Sequence, residues 1–125
     1  MPKILIVEED DTQRDCLRCA LEAAGYEVIC ANSSVEALCK WGEAGRALDG
    51  LLAQVTMYPI GGLNLAETIR AHIPSLRVLF LVGSKDELPL IISMREAAVI
   101  EKPFLLADVV RALTVLFHSR EGLAV

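Results

Sequence analysis

The sequence predicts an α/β domain, a five-stranded parallel sheet doubly wound by helices on both faces. Five short apolar segments alternate with segments whose apolar residues recur at helical spacing. Two of the apolar segments, residues 4–7 (ILIV) and 78–82 (VLFLV), hold no polar residue, as is typical of central strands covered on both faces. The length of 125 residues and a hydrophobic content of 54% are those of one globular domain without a linker or repeat.

The first strand and helix are predicted around an abrupt change from apolar to acidic residues. The strand at residues 4–7 stops at residues 8–11 (EEDD), which should lie at the carboxyl edge of the sheet, where open α/β sheets bind ligands. Thr12 opens a capping box that predicts the start of the first helix, and Gly25 predicts its end.

Two further strand and helix pairs are predicted in the middle of the chain. Residues 26–31 (YEVICA) form the second strand, and a capping box that begins at Ser33 opens the second helix. Residues 51–55 (LLAQV) form the third strand. The loop at residues 58–62 (YPIGG) is rich in turn formers, and Pro74 ends the third helix.

The last part of the chain should hold two strands and two helices. After the fourth strand at residues 78–82, Pro89 limits residues 85–95 to a short helix. Val99 and Ile100 form a brief fifth strand, and residues 106–117 carry the apolar face of a final helix. We therefore expect a single domain over residues 1–125, with its core at residues 3–118 and a loose tail at residues 119–125.

Charge and composition restrict the classes of partner. A net charge of −5 argues against nucleic acid, because a nucleic-acid footprint requires clustered Lys and Arg. No segment is apolar for long enough to span a membrane or to form a signal peptide, so we expect a cytoplasmic protein. The four cysteines are then expected to be reduced thiols.

Motifs after three strands resemble those of one protein family. Glu8 and Glu9 follow the first strand, Gly62 and Leu63 open the helix after the third, and Lys102-Pro103-Phe104 follows the fifth. Together they resemble the receiver domain of bacterial two-component response regulators over residues 3 to about 118. The resemblance implies a flavodoxin-like (βα)5 fold and a role in phosphorelay signal transduction.

The resemblance assigns site positions, and one departs from the family pattern. In the family an acid pair holds magnesium, an aspartate after the third strand accepts a phosphoryl group and a lysine contacts the phosphate. These positions correspond to Glu8 and Glu9, to Gln54 and to Lys102. Glutamine has no carboxylate and cannot form an acyl phosphate. The missing oxygen ligand should make magnesium binding weak or absent, so no cofactor is required.

Two switch positions depart from the pattern as well. Val82 stands where the family has a Ser or Thr that binds a phosphoryl oxygen, and Val99 stands where it has an aromatic residue. Tyr58 takes the usual proline position in the third loop. We therefore expect an atypical receiver that is no enzyme and acts through protein contacts.

The resemblance also suggests where partners bind. In the family, the face made by the fourth helix, fifth strand and fifth helix commonly mediates dimers and partner contacts. Residues 88–94 (LPLIISM) are more apolar than a short surface helix needs, which favours an interface there. A histidine kinase, an output protein or a second copy in a homodimer could occupy it.

Alternative interpretations stay open at this point. The chain could be a phosphorylatable receiver that uses another acid, Asp10 or Asp49, as its acceptor. It could also be a flavodoxin-like module that binds a small molecule, although the acids after the first strand would repel an anion. Lys102 could serve only as a structural ion pair with Glu8 or Glu9.

Overall fold

A computed structural model describes residues 1–57, 59–84, 86–87 and 94–124. Its strands are β1 (Lys3–Val7), β2 (Glu27–Ala31), β3 (Gly50–Gln54), β4 (Arg77–Val82) and β5 (Ala97–Glu101). Its helices are α1 (Asp11–Ala23), α2 (Ser34–Glu43), α3 (Gly62–Arg70) and α4 (Leu106–Ala124). The strands form one parallel sheet in the order β2-β1-β3-β4-β5, which confirms the predicted fold class.

The sheet has a separate apolar core on each face. One core joins the sheet to α2 and α3, with Trp41, Leu65 and Phe80 among its buried members. The other core joins the sheet to α1 and α4 and contains Leu17 and Leu113. Because β1, β3 and β4 face apolar side chains on both sides, their residues are almost all fully buried.

The register brings several strand ends together at one edge of the sheet. Val7, the last residue of β1, lies opposite Ala53, one residue before the end of β3. Gln54, the last residue of β3, lies opposite Leu81 of β4. Val82 lies opposite Glu101, so the residue after β5 reaches the same edge. Residues 8, 54 and 102 therefore share the carboxyl edge of the sheet.

The start of α1 differs from the prediction. Asp10, not Thr12, is the N-cap, and its Oδ1 accepts a hydrogen bond from the backbone N–H of Gln13 at 2.7 Å. Either residue type can cap a helix, but α1 begins at Asp11, so Thr12 already lies in the first turn. Two other predicted boundaries are confirmed: Ser33 caps α2 through the N–H of Glu36, and Gly25 follows the end of α1 with a φ of +97°. The third helix differs from the prediction, because α3 already ends at Arg70, before Pro74.

The end of the chain also differs from the prediction. The fifth strand is longer than Val99 and Ile100, and α4 continues to Ala124 instead of leaving a loose tail after residue 118. Residues 119–124 contain no proline, and a single glycine costs a helix only about 1 kcal/mol. The short helix predicted at residues 85–95 falls largely on residues 85 and 88–93, which lie outside the described residues, as does Tyr58.

The structure also bears on the expected reduced thiols and on the absence of a membrane-spanning segment. Cys16, Cys19 and Cys39 are exposed free thiols, and Cys30 is a half-buried free thiol. Burial raises the pKa of the Cys30 thiol. Of the helices that the structure describes, none combines the length and apolar character needed to cross a bilayer.

Candidate functional site

A buried glutamate forms the centre of the carboxyl edge. Glu8 follows β1 directly, and only 3% of its side chain is exposed. Its backbone N–H donates to the carbonyl of Ala31, which extends the pairing with β2 by one residue. Arg14 on α1 donates from Nη1 to the Glu8 carbonyl at 2.9 Å. These contacts direct the Glu8 carboxylate into the space above the ends of β1 and β3.

Neutral donors surround that carboxylate. The Nε2 of Gln54, the last residue of β3, lies 3.0 Å from both Glu8 oxygens. Gln13 donates from its own Nε2 at 2.9 Å, and the backbone N–H of Asp10 donates at 3.1 Å. The opposite orientation of the Gln54 amide would turn its oxygen toward a carboxylate, which is repulsive. The buried charge is therefore stabilised largely by amide groups.

Lys102 is a looser neighbour of the same carboxylate. Its backbone N–H donates to the carbonyl of Val82 at 2.8 Å, which places the residue just after β5 at the carboxyl edge. Its Nζ lies 3.8 Å from Glu8 Oε1, and about a third of its side chain is exposed. An ion pair of this length and exposure contributes little to stability. Glu8 thus contacts both Gln54 and Lys102, and the roles that the resemblance assigns to these three positions stay predictions.

The other candidate acids lie elsewhere. Glu9 is exposed and makes no side-chain hydrogen bond or ion pair within the described part of the chain, so Glu8 alone of the pair faces Gln54. Asp10 caps α1. Asp49 precedes β3 at the opposite edge of the sheet, where its Oδ2 accepts from the backbone N–H of Lys3. The carboxylate of Asp10 is engaged at the start of α1, and within the described residues Lys102 forms its ion pair with Glu8 and with neither Asp10 nor Asp49.

The two switch positions have different environments. Val82 ends β4 and is buried, with an apolar side chain at the edge where Lys102 arrives. Val99 lies in the middle of β5, opposite Phe80, and is 38% exposed. Whether either position has the function that the family assigns to it stays a prediction.

A close backbone contact holds the loop after β3. A Cβ on Gly62 would lie 1.9 Å from the carbonyl oxygen of Gln54, so only glycine fits there. The N–H of Gly62 donates to the carbonyl of Val55 at 2.8 Å. The glycine therefore lets the loop fold back onto the strand end that presents Gln54.

Two residues of this region were not found by the sequence reasoning. Gln13 is one of them; its position one turn beyond the acids is the signal that could have suggested its contact with Glu8. Glu87 joins two loops: its carboxylate accepts from Thr56 Oγ1 at 2.7 Å and from the Gly83 N–H at 3.1 Å. Glu87 stands 31 residues from Thr56, and no local pattern reveals that contact.

The residues present are a poor fit for magnesium. Among the described residues, no three His, Cys, Asp or Glu side chains lie together in a group that could hold a metal ion. Magnesium prefers several oxygen ligands, and the one carboxylate directed into this site already accepts hydrogen bonds from Gln13 and Gln54. An ion would have to displace those amides.

Comparison with known proteins identifies the family. The family model described as the response regulator receiver domain matches residues 4–114. The chain belongs to this receiver family. It is thus a receiver domain of two-component signalling, and such domains interact with kinases or other proteins.

Individual relatives agree with the assignment. The receiver is 32% identical over 115 residues to the response regulator receiver protein CpdR of Brucella abortus (strain 2308), covering 90% of this chain and 94% of that protein. It is also 32% identical over 84 residues to the sensor kinase CckA of the same organism, covering 67% of this chain but only 9% of that kinase. A solved receiver domain protein from Clostridium thermocellum is similar at 26% identity with a TM-score of 0.82, covering 98% and 99% of the two chains.

Proposed function

We propose that this chain is an atypical receiver that takes no phosphoryl group at the usual position and signals by binding other proteins. The supporting observation is the contact between the Gln54 amide and the Glu8 carboxylate, 3.0 Å to each oxygen. An amide at the acceptor position offers no nucleophilic carboxylate for an acyl phosphate. It also occupies the space that a phosphoryl group would need above the end of β3.

The charge of the pocket supports the same proposal. Among the described residues, Glu8 and Lys102 form the ion pair of this pocket, and their charges offset each other. Phosphoryl transfer depends on cations placed around the transferred group, and in this family magnesium supplies part of that charge. Because the Glu8 oxygens are engaged by amide donors, we expect magnesium to bind weakly or not at all.

Val82 adds a further reason. It is buried at the end of β4 and has no hydroxyl to bind a phosphoryl oxygen. The two loops that flank this edge are instead joined by Glu87, which accepts from Thr56 and from the Gly83 backbone. These hydrogen bonds join the two loops to each other, which supports a receiver that is held in one state.

Protein contacts are proposed for the face that contains β5 and α4. Val99 on β5 and Val115 on α4 are 38% and 60% exposed, and Leu105 just before α4 is 70% exposed. Exposed apolar side chains of this size favour a protein partner over solvent. A histidine kinase, an output protein or a second copy of the chain would fit the family pattern. Residues 88–93 of the apolar run predicted for this face lie outside the described residues.

Chemical phosphorylation tests the proposal. The full chain is incubated with magnesium and acetyl phosphate, quenched in acid and measured by intact mass spectrometry. We expect the unmodified mass alone, because Gln54 cannot accept the group. A receiver known to react with this donor serves as the positive control. A stoichiometric phosphoryl adduct on the wild-type chain would refute the proposal, and peptide mapping would then identify the acid that accepts it.

A further inference from the structure

A second polar cleft lies at the amino edge of the sheet, opposite the Glu8 pocket. We call it the amino-edge cleft; it is lined by Arg70, Pro74, Ser75, Arg95 and Glu96 and has a volume of about 520 Å³. That volume falls within the range of about 300–1,000 Å³ that is common for small-molecule sites. Because the cleft shares no residue with the Glu8 pocket, its function is independent of the proposed loss of phosphorylation.

Arg70 is fixed in this cleft by the starts of two strands. It is the last residue of α3, and its Nε donates to the carbonyl of Leu76, just before β4, at 2.9 Å. Its Nη2 donates to the carbonyl of Glu96, just before β5, at 3.1 Å. The guanidinium is therefore held in one orientation by Nε and Nη2, and within the described residues Nη1 makes no hydrogen bond. An arginine held in this way loses little side-chain freedom on binding.

Arg95 is the second cation of the cleft, and it is exposed. The other arginines with described side chains contact carboxylates, backbone carbonyls or rings: Arg14, Arg18 and Arg111 pair with acids, while Arg46 and Arg77 lie over aromatic rings. Within the described residues, Arg95 has no such contact. An arginine that pairs with no acid among the described residues is notable in a chain whose net charge is −5.

The electrostatics of the cleft favour an anion. Burial lowers the pKa of the Arg70 guanidinium below its ordinary value; the Glu96 carboxylate opposes this shift, and the like charge of Arg95 adds to it. Two arginines and one glutamate leave the cleft with one uncompensated positive charge. A bound anion would relieve the repulsion between the two guanidinium groups.

The donor set indicates which anion fits. Arg70, Arg95 and Ser75 all line the cleft, so three residues with donor side chains are available to one ligand. A carboxylate has two oxygens, whereas a terminal phosphate has three that can meet three donors at once. We propose that the amino-edge cleft binds a small phosphate-bearing molecule through Arg70, Arg95 and Ser75. Pro74 supplies an apolar wall for the rest of the ligand.

Titration of the ¹⁵N-labelled full chain with inorganic pyrophosphate tests this proposal. We expect saturable shifts of the backbone amide signals of Ser75, Arg95 and Glu96, and weaker binding as salt is raised. Arg95→Ala should weaken binding by about tenfold, the usual loss for one hydrogen bond to a charged group. Arg111→Ala is the matched control, because Arg111 is an exposed arginine on α4 that pairs with Asp108 and does not line the cleft.

Several results would overturn the proposal. One is the absence of saturable shifts at the cleft residues. Another is an equal loss of pyrophosphate affinity in Arg95→Ala and Arg111→Ala, which would mean that the anion is attracted to any positive side chain. Succinate is titrated in parallel, and binding as tight as that of pyrophosphate would refute the choice of phosphate over carboxylate. Arg95→Ala should fold normally because its side chain is exposed, and its melting temperature checks this.

Discussion

Replacing Gln54 by aspartate would place a second carboxylate beside Glu8. The change removes the Nε2 donor that lies 3.0 Å from both Glu8 oxygens. A hydrogen bond to a charged group is worth about 1.5–3 kcal/mol. Two like charges about 4 Å apart repel by about 4 kcal/mol at an effective dielectric constant of about 20. Lys102, whose Nζ is 3.8 Å from Glu8, offsets part of that repulsion.

We therefore expect Gln54→Asp to lower the free energy of unfolding by about 2–4 kcal/mol at neutral pH without magnesium. The assay is urea denaturation followed by the fluorescence of Trp41, the one tryptophan of the chain. Magnesium should restore much of the loss, because a divalent cation prefers two adjacent carboxylates to a carboxylate already bound by amides. Wild type should gain much less from the same concentration of magnesium.

Asn64→Asp is the matched control for this variant. It makes the same amide-to-carboxylate change at an exposed position of α3, where surface substitutions usually alter stability by no more than about 0.5 kcal/mol. If Gln54→Asp were as stable as wild type without magnesium, the amide would not be stabilising Glu8. An equal gain from magnesium in wild type and variant would also refute the reasoning.

Two further pairs of substitutions test the residues that support the site, each by urea denaturation. Gly62→Ala should lower the free energy of unfolding by about 3 kcal/mol or more, because the added Cβ would lie 1.9 Å from the carbonyl oxygen of Gln54. Gly42→Ala in α2 is the control: its added Cβ would have no atom within 4 Å, so the change should be neutral or stabilising. A tolerated Gly62→Ala would mean that the loop does not approach β3 so closely. Asp10→Ala should cost about 1 kcal/mol and Thr12→Ala almost nothing, because Asp10 caps α1; the reverse order would restore Thr12 as the cap.

The sequence was sufficient to predict that five strands form one parallel sheet, although not how long β5 is, and that the strand ends at residues 8, 54 and 102 share one edge. Apolar runs and turn residues are local signals, and parallel strands bring their carboxyl ends to one edge whatever the loops do. The prediction of Thr12 as the cap was wrong, because Asp10 and Thr12 are residue types that accept the same hydrogen bond and the local pattern does not distinguish them.

Contacts between loops and across strands could not be predicted from local sequence patterns. Glu87 reaches Thr56 over 31 residues, and Arg70 reaches the carbonyl of Glu96 over 26 residues. Such pairs meet only because neighbouring parallel strands bring their connections together. The orientation of the Glu9 side chain could not be predicted either, because a run of consecutive acids does not reveal which side chain points into the site.

The side-chain amide of Gln54 offers the most direct measurement of the central claim. Its NH₂ signals can be followed by NMR in the ¹⁵N-labelled wild-type chain before and after addition of magnesium and acetyl phosphate. Because Nε2 is hydrogen-bonded to a buried carboxylate, we predict that its protons exchange slowly with water and that its NH₂ signals do not shift on either addition. Rapid exchange would show that the amide is turned away from Glu8, and a saturable shift with magnesium and the donor would show a working phosphorylation pocket. Either result would contradict the account.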